Sequence, residues 1–319
     1  MWLAAQRQDM HESSAPPRWW LILIVLFYLA LRVAPARAAE YELPPEPTSV
    51  VGHVQRVVAR YEDTLADLAR RYDLGYEEIV AANPGVDPWL PGAGTRIVVP
   101  TQYVLPDAPR SGIVLNLPEM RLYYYPIPKP GQPALLVTYP VGIGREGWST
   151  PLGLTQVVSK VVRPTWYPPA SIRQEHTQDG DTLPTVVPPG PDNPLGEYAL
   201  HLDMPGYLIH GTNRRYGIGM RVSHGCIRLY PVDIEYLFRG VPVGTPVRIV
   251  NQPYKAGWKF GVLFLESHPP LADDQGGVNM TPAVRAILAA TRTKTVTMNW
   301  ERVMGVAERN WGIPIAIYP

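Results

Sequence analysis

The chain has 319 residues, 46% of them hydrophobic, which is enough to build one or two cores and excludes a disordered protein. Its 29 basic and 28 acidic side chains leave a net charge of +1, so there is no cationic field to make nucleic acid a partner. Proline stands at 37 and phenylalanine at 4, a bias toward extended segments and loops that points to a mainly β core.

At the N-terminus, Arg7 and Arg18 precede an apolar run from Trp19 to Leu31, and Ala36, Arg37 and Ala38 follow it. Basic region, short apolar core and small-x-small site come in the order of a secretory signal peptide, residues 1–38, cleaved after Ala38. The run is shorter than the roughly 20 apolar residues that span a bilayer comfortably. An uncleaved inner-membrane anchor is the alternative, and membrane contact is confined to this segment. Export would carry Cys226, the single cysteine, into a compartment where cysteines are usually paired. Such a thiol is either inert and buried or functional.

Residues 39–105 read as a small module. Asp63 or Thr64 stands as an N-cap before Leu65, Leu68, Ala69 and Tyr72 at helical spacing. A second helix from Tyr76 to Ala82 stops at Asn83-Pro84-Gly85. Pro91-Gly92 then turns into a β-branched strand, Thr95 to Pro100, giving strand, helix, helix, strand. This pattern resembles a LysM module, with Glu62 where the family usually has glycine. The resemblance implies binding to the glycan strands of peptidoglycan; the plain alternative is a packing module without a ligand.

Residues 101–111, with Pro106 and Pro109, read as a short linker that makes the module separable from a domain at 111–250. Strand-like runs follow at Ile113–Leu117, Arg121–Tyr125, Leu135–Tyr139, Thr155–Val162, Tyr198–Leu202 and Tyr207–Ile209. Turns at that density suggest a β-sandwich-like or barrel-like domain. Within it Tyr123, Tyr124 and Tyr125 alternate between the two faces of a strand as packing residues. The stretch from Tyr167 to Tyr198 holds seven prolines and reads as a long loop covering a site. A helix is expected from Pro231 to Gly240, and a strand at Val247–Val250 closes the domain. Residues 251–319 suggest a strand at Val262–Leu265 and helices at Pro282–Ala290 and Asn299–Asn310, an α-rich extension with no evident chemistry.

The chemistry concentrates in residues 207–238. A strand delivers His210 and Gly211 to its tip, Gly217 and Gly219 loosen the returning loop, and Ser223-His224-Gly225-Cys226 turns into Ile227-Arg228. A free thiol with a pKa of about 8.5 is mostly protonated at neutral pH and needs a nearby base. His210 is the candidate base and Cys226 the candidate nucleophile. Gly225 would let a substrate carbonyl approach the backbone, with the N–H groups of residues 224–226 as an oxyanion hole. Taken singly, Gly225 is an ordinary turn and His210 a packed histidine; together they carry the reading.

Histidine followed after a loop by Ser-His-Gly-Cys resembles the L,D-transpeptidase family, the YkuD-type catalytic domain, in its periplasmic ErfK/YbiS-like branch. Arg228 stands where many relatives have asparagine. The resemblance implies a periplasmic cysteine acyltransferase that needs no cofactor. It attacks a peptidoglycan stem tetrapeptide, releases D-alanine and passes the acyl group to an amine. The acceptor is diaminopimelate, for a 3→3 cross-link, or the C-terminal lysine of an envelope lipoprotein. A backbone carbonyl, that of Gly211, would orient His210, while His224, Ser223 and Gly225 shape the site. Arg228 and Arg221 are candidates to hold substrate carboxylates, or else ordinary charges. Three rivals stand beside this reading: zinc held by His210, His224 and Cys226, a wall-binding protein with a vestigial thiol, and a hydrolase that resolves the thioester with water.

Overall fold

The computed structural model describes residues 39–271, 280–294 and 296–318; the expected signal peptide, residues 1–38, lies outside them. Among the described residues no helix is long and apolar enough to cross a membrane. In chain order, β1 (Ala39–Glu42) is followed by β2 (Val50–Gly52), β3 (Gln55–Val58), α1 (Leu65–Arg71), α2 (Tyr76–Ala81), β4 (Arg96–Val99) and β5 (Gln102–Val104). Next come β6 (Gly112–Asn116), β7 (Arg121–Tyr125), β8 (Leu135–Pro140), β9 (Ile143–Gly144), β10 (Gly153–Val162) and α3 (Ala170–Gln178). They lead to β11 (Tyr198–Leu202), β12 (Leu208–His210), β13 (Arg221–Ser223), β14 (Ile227–Arg228), α4 (Pro231–Gly240) and β15 (Pro246–Val250). The remainder holds β16 (Tyr254–Lys259), β17 (Val262–Ser267), α5 (Thr281–Ala290), α6 (Trp300–Arg309) and β18 (Ile315–Tyr318).

The protein is mainly β, centred on a nine-stranded sheet in the order β1-β8-β7-β6-β15-β10-β11-β12-β14. Side chains alternate across a strand, and here both faces are buried. On one face Leu122 and Tyr124 pack with Ile113, Leu115, Val137 and Tyr139. On the other, Tyr123 and Tyr125 pack with Val114 and Leu136 against Leu65, Leu68, Ile79, Ile97 and Tyr103 of the preceding module.

That shared core corrects the linker expectation. Tyr103, Val104 and Leu105 are buried, β5 pairs with β2, and the Val104 N–H donates to Glu266 Oε2 at 2.5 Å. Each apolar side chain of the stretch has a core to enter, which the nearby prolines obscured. β1, read as part of the module, instead pairs with β8 at the edge of the main sheet. Removing residues 39–105 would uncover Tyr123, Tyr125 and Leu136, so the module is not a detachable one.

Two further expectations change. The proline-rich segment contains α3, which starts directly after Pro169, because proline's fixed φ suits a helix start even where it spoils a helix interior. The C-terminal extension is not simply α-rich: β16, β17 and β18 form a sheet that packs Trp258, Leu263 and Leu265 against Ile287 and Val303 of α5 and α6.

Buried charges join these parts. Arg121 is 0% exposed; its Nη2 donates to Glu78 Oε2 at 2.6 Å and to the Asp73 carbonyl at 3.1 Å, and its Nη1 donates to Thr138 Oγ1 at 3.2 Å. Its guanidinium also lies 4.3 Å from the Tyr103 ring centre. On the C-terminal side Lys255 Nζ sits 2.7 Å from Glu119 and 2.9 Å from Glu266, which His268 Nε2 approaches to 2.6 Å.

Removing one partner of such a pair leaves the other charged, buried and alone. Glu78→Ala is therefore expected to cost about 3–5 kcal/mol in urea unfolding, and Glu78→Leu with Arg121→Met to recover most of it. A cost under about 1 kcal/mol for the single variant, the range of an exposed pair, would show that the guanidinium is compensated elsewhere.

Candidate active site

β12 and β14 lie side by side and parallel, with Ile209 opposite Ile227 and His210 opposite Arg228. The chain between them leaves at Gly211, returns along β13, and turns at residues 223–226. The turn is closed by its own serine: Ser223 Oγ donates to the Cys226 carbonyl at 2.6 Å and accepts the Gly225 N–H at 3.1 Å. Gly225 has φ +100°, and a Cβ there would come within 2.9 Å of Tyr207 Cε1. Both the conformation and the space require glycine.

This geometry corrects the oxyanion reading. The Gly225 N–H is engaged by Ser223, and the Gly211 N–H donates to the Tyr198 carbonyl at 3.1 Å. Among the described residues the N–H groups of His224 and Cys226 carry no backbone hydrogen bond, which leaves these two as available donors.

His210 is buried, with Nδ1 2.6 Å from the Gly211 carbonyl. A carbonyl only accepts, so Nδ1 carries the proton and Nε2 keeps its lone pair. Burial, aided by the Arg228 charge, drives the imidazole pKa down to about 3, against the Gly211 and Leu195 carbonyls that favour the protonated ring. Cys226 is half-buried and its thiol points to the Gly206 carbonyl at 3.5 Å. Burial pushes the thiol up, opposed by the Leu208 N–H and by Arg228. At neutral pH the pair therefore rests as uncharged imidazole and uncharged thiol.

The two candidate arginines separate. Arg228 is partly buried, its pKa lowered by desolvation and raised by the neighbouring Cys226, with Arg214 adding a second positive charge. Arg221, on β13 beside β9, acts instead on Glu77 of α2, whose carboxyl burial pushes up and Arg221 pulls down. Only Arg228 shares the electrostatic field of the thiol and of His210.

His224 belongs to a cluster that sequence reading missed. Its Nε2 lies 3.0 Å from Glu175 Oε2 on α3, Arg145 forms a very short ion pair with the same carboxylate, and Trp148 meets the imidazole edge-on at 4.9 Å. Arg145 and then His224 hold the Glu175 carboxyl below its usual range, while burial lowers the His224 pKa against the pull of Glu175. The proline-rich segment is thus pinned to the turn that carries His224 and Cys226. Only its position in an expected cover pointed toward Glu175.

The module also reaches the site. The Tyr76 and Glu77 N–H groups, in the first turn of α2, donate to the carbonyls of Ile218 and Gly219 at 3.2 and 3.1 Å. Gly219 has φ +73°, and a Cβ on it would come within 2.2 Å of Gly75. The loop between His210 and Cys226 is therefore clamped by backbone contact that only glycine permits. The three side chains of the zinc alternative engage different partners: His210 Nδ1 the Gly211 carbonyl, His224 Nε2 Glu175, and Cys226 the Gly206 carbonyl.

Comparison with known proteins bears on the same residues. The model of the L,D-transpeptidase catalytic domain, YkuD, matches residues 110–249, and that of the LysM domain matches 57–100. The chain is similar to "Probable L,D-transpeptidase YbiS" of Escherichia coli K12, 45% identical over 74% of this chain and 77% of that protein. It is 43% identical to "Probable L,D-transpeptidase ErfK/SrfK" of Salmonella typhimurium over 88% of this chain and 91% of that one. Against "Probable L,D-transpeptidase YcfS" of Escherichia coli K12 the identity is 41% over 93% and 94%. Similarity of that degree, sustained over most of both chains, makes this chain a member of the L,D-transpeptidase family.

Proposed function

We propose that this enzyme works in the periplasm on peptidoglycan stem tetrapeptides, with Cys226 as nucleophile and His210 as base. The observation that carries the reading is the His210 tautomer, fixed by the Gly211 carbonyl at 2.6 Å on the strand beside the one that follows Cys226. The residue division follows the sequence expectation, with a peptidoglycan-binding region at 39–105, catalysis at 111–250 and the extension at 251–319, although their cores are shared. The LysM region holds glycan near the site.

Because thiol and imidazole rest neutral, the proton moves as the bond forms. Sγ attacks the carbonyl carbon between the third stem residue and D-alanine, and its proton passes to Nε2 of His210. The oxygen that becomes negative faces the N–H groups of His224 and Cys226. His210 then hands the proton to the departing D-alanine nitrogen, and a thioester remains. An acceptor amine gives a proton to His210 as it attacks the thioester carbon, and the proton returns to the leaving thiol. Arg228 holds a substrate carboxylate near the reacting carbonyl. The acceptor is diaminopimelate or the terminal lysine of a lipoprotein, with water as the hydrolytic alternative.

Cys226→Ala is expected to abolish D-alanine release from a soluble tetrapeptide while leaving the circular dichroism unchanged; turnover by the folded variant would refute the assignment. Mass spectrometry of muropeptides from cells with and without the protein identifies the acceptor as 3→3 cross-links, lipoprotein-linked stems or trimmed stems.

A carbapenem, with its strained amide, should acylate the same sulfur. His210→Ala is expected to slow that acylation about 10²–10⁴-fold at pH 7, the usual range for a lost general base. The gap should narrow as pH rises toward the elevated thiol pKa, where solvent supplies the thiolate unaided. Intact-protein mass spectrometry across pH reads both effects; equal rates at pH 7 would assign the base elsewhere.

A further inference from the structure

Ala39, the residue after the expected cleavage point, donates its backbone N–H to Asp73 Oδ2 at 2.9 Å. Asp73 lies in the turn between α1 and α2, at φ 57°, and is 6% exposed. Asp233, in the first turn of α4, is 3% exposed and shares a side-chain hydrogen bond with Asp73. Its Oδ2 is buried without any partner, and so is the hydroxyl of Tyr139 on β8, which feels both carboxyls. The edge strand β1, the α1–α2 turn and α4 thus converge on one polar pocket.

The groups facing it are Tyr41 from β1, Arg70 from α1, Glu78 from α2, Arg121 from β7, Tyr139 from β8 and Tyr230 ahead of α4. Arg121 is already paired to Glu78 at 2.6 Å, and Arg70 acts only as a subsidiary charge on Asp233. Two buried carboxyls are left with one amide N–H between them. Burial above all pushes both carboxyls up: Asp73 to about 6, with Arg121, the Ala39 N–H and the hydrogen bond to Asp233 opposing and the Glu78 charge adding, and Asp233 well above its usual range, with the Asp73 charge adding. The pair keeps a proton that a cation would displace.

We propose that this pocket is the binding site for the α-ammonium group of Ala39, released when the Ala38–Ala39 peptide bond is hydrolysed during export. Hydrolysis leaves the oxygen of water on Ala38 as part of a carboxylate and puts both its protons on the Ala39 nitrogen. The ammonium then offers three donors and a full charge where the amide offered one donor and none. One donor keeps Asp73 Oδ2 and another serves the unpartnered Asp233 Oδ2. The ion pair ties β1 and the module to α4, the helix into which the Ser223–Cys226 turn leads through β14. Cleavage thereby completes the scaffold around the nucleophile. The proposal rests on the export reading for its cleavage step alone.

The test uses residues 39–319 in three forms: with a free Ala39 amine, with Gly-Ser preceding Ala39, and acetylated at Ala39. The free form is expected to melt about 5 °C above the other two at pH 7. In the blocked forms ionisation of carboxyls with raised pKa opposes folding, and the ammonium removes that penalty. The advantage should therefore be small near pH 4, about the unfolded carboxyl pKa, and grow toward pH 7. Asp73→Asn with Asp233→Asn should erase it and make the α-amine at least about 10-fold more reactive to an acylating label, since an amine held as ammonium does not attack. Equal melting of the three forms, or an α-amine labelled equally fast in both proteins, would overturn the pocket. Edman sequencing of the exported protein should begin at Ala39. Another start, or an uncleaved chain retained inside the cell, would overturn the cleavage step and, in the second case, the export reading with it.

Discussion

A guanidinium without access to water must be neutralised and hydrogen-bonded where it sits, and Arg121 imposes that condition on the whole molecule. Its partners are Glu78 and the Asp73 carbonyl from the module, Thr138 from the neighbouring strand and the face of Tyr103. None of them can shift without stranding a buried charge. The module is thereby fixed against the sheet, and the first turn of α2 is fixed against the loop that links His210 to Cys226. A glycan-binding region is usually thought of as tethering an enzyme to its substrate. Here it also sets the path of the chain between His210 and Cys226.

The parts of the fold that could be read from sequence are those whose information is local. Tyr123, Tyr124 and Tyr125 split between two cores as strand alternation requires, and α4 occupies residues 231–240 as its N-terminal proline suggests. The turn of Ser223-His224-Gly225-Cys226 was visible because four consecutive residues build it. What stayed hidden depends on contacts distant in sequence. Glu175 sits on a helix whose only buried residue is Ile172, so no apolar stripe announces the helix and nothing marks its carboxylate as the partner of His224. The close backbone contact of Gly219 with Gly75 spans two domains and leaves no trace in either segment alone. Arg221 and Arg228 stand close in sequence but act on different groups in space. β13 carries Arg221 toward Glu77, while β14 carries Arg228 to the thiol.

The electrostatics of the site favour a particular kind of cysteine chemistry. Some cysteine nucleophiles rest as thiolate beside an imidazolium, but burial here disfavours both charges, and Arg228 helps by making a protonated His210 costlier still. Arg228 has a double effect, since the same charge favours the thiolate once it forms. It therefore acts on the two ends of the proton transfer in opposite senses: it stabilises charge on sulfur and opposes charge on the ring. An asparagine at this position would supply neither influence.

In the periplasmic setting proposed above, that arrangement also bears on how an unpaired cysteine persists. Oxidation and disulfide exchange proceed through the thiolate, so a thiol held above its usual pKa and half-buried is slow toward both. The cost is a weaker resting nucleophile. In its proposed role His210 offsets it, because a base with a free Nε2 removes the proton only when a carbonyl is in place to take the electron pair. The cluster of Glu175, Arg145 and Trp148 holds the proline-rich segment against His224, two residues before Cys226. On the roles proposed above, protection and activation come from separate neighbours of Cys226, burial and the cover on one hand and His210 on the other. For that reason a substitution at Glu175 should alter the thiol's sensitivity to peroxide more than its dependence on pH, whereas one at His210 should do the reverse.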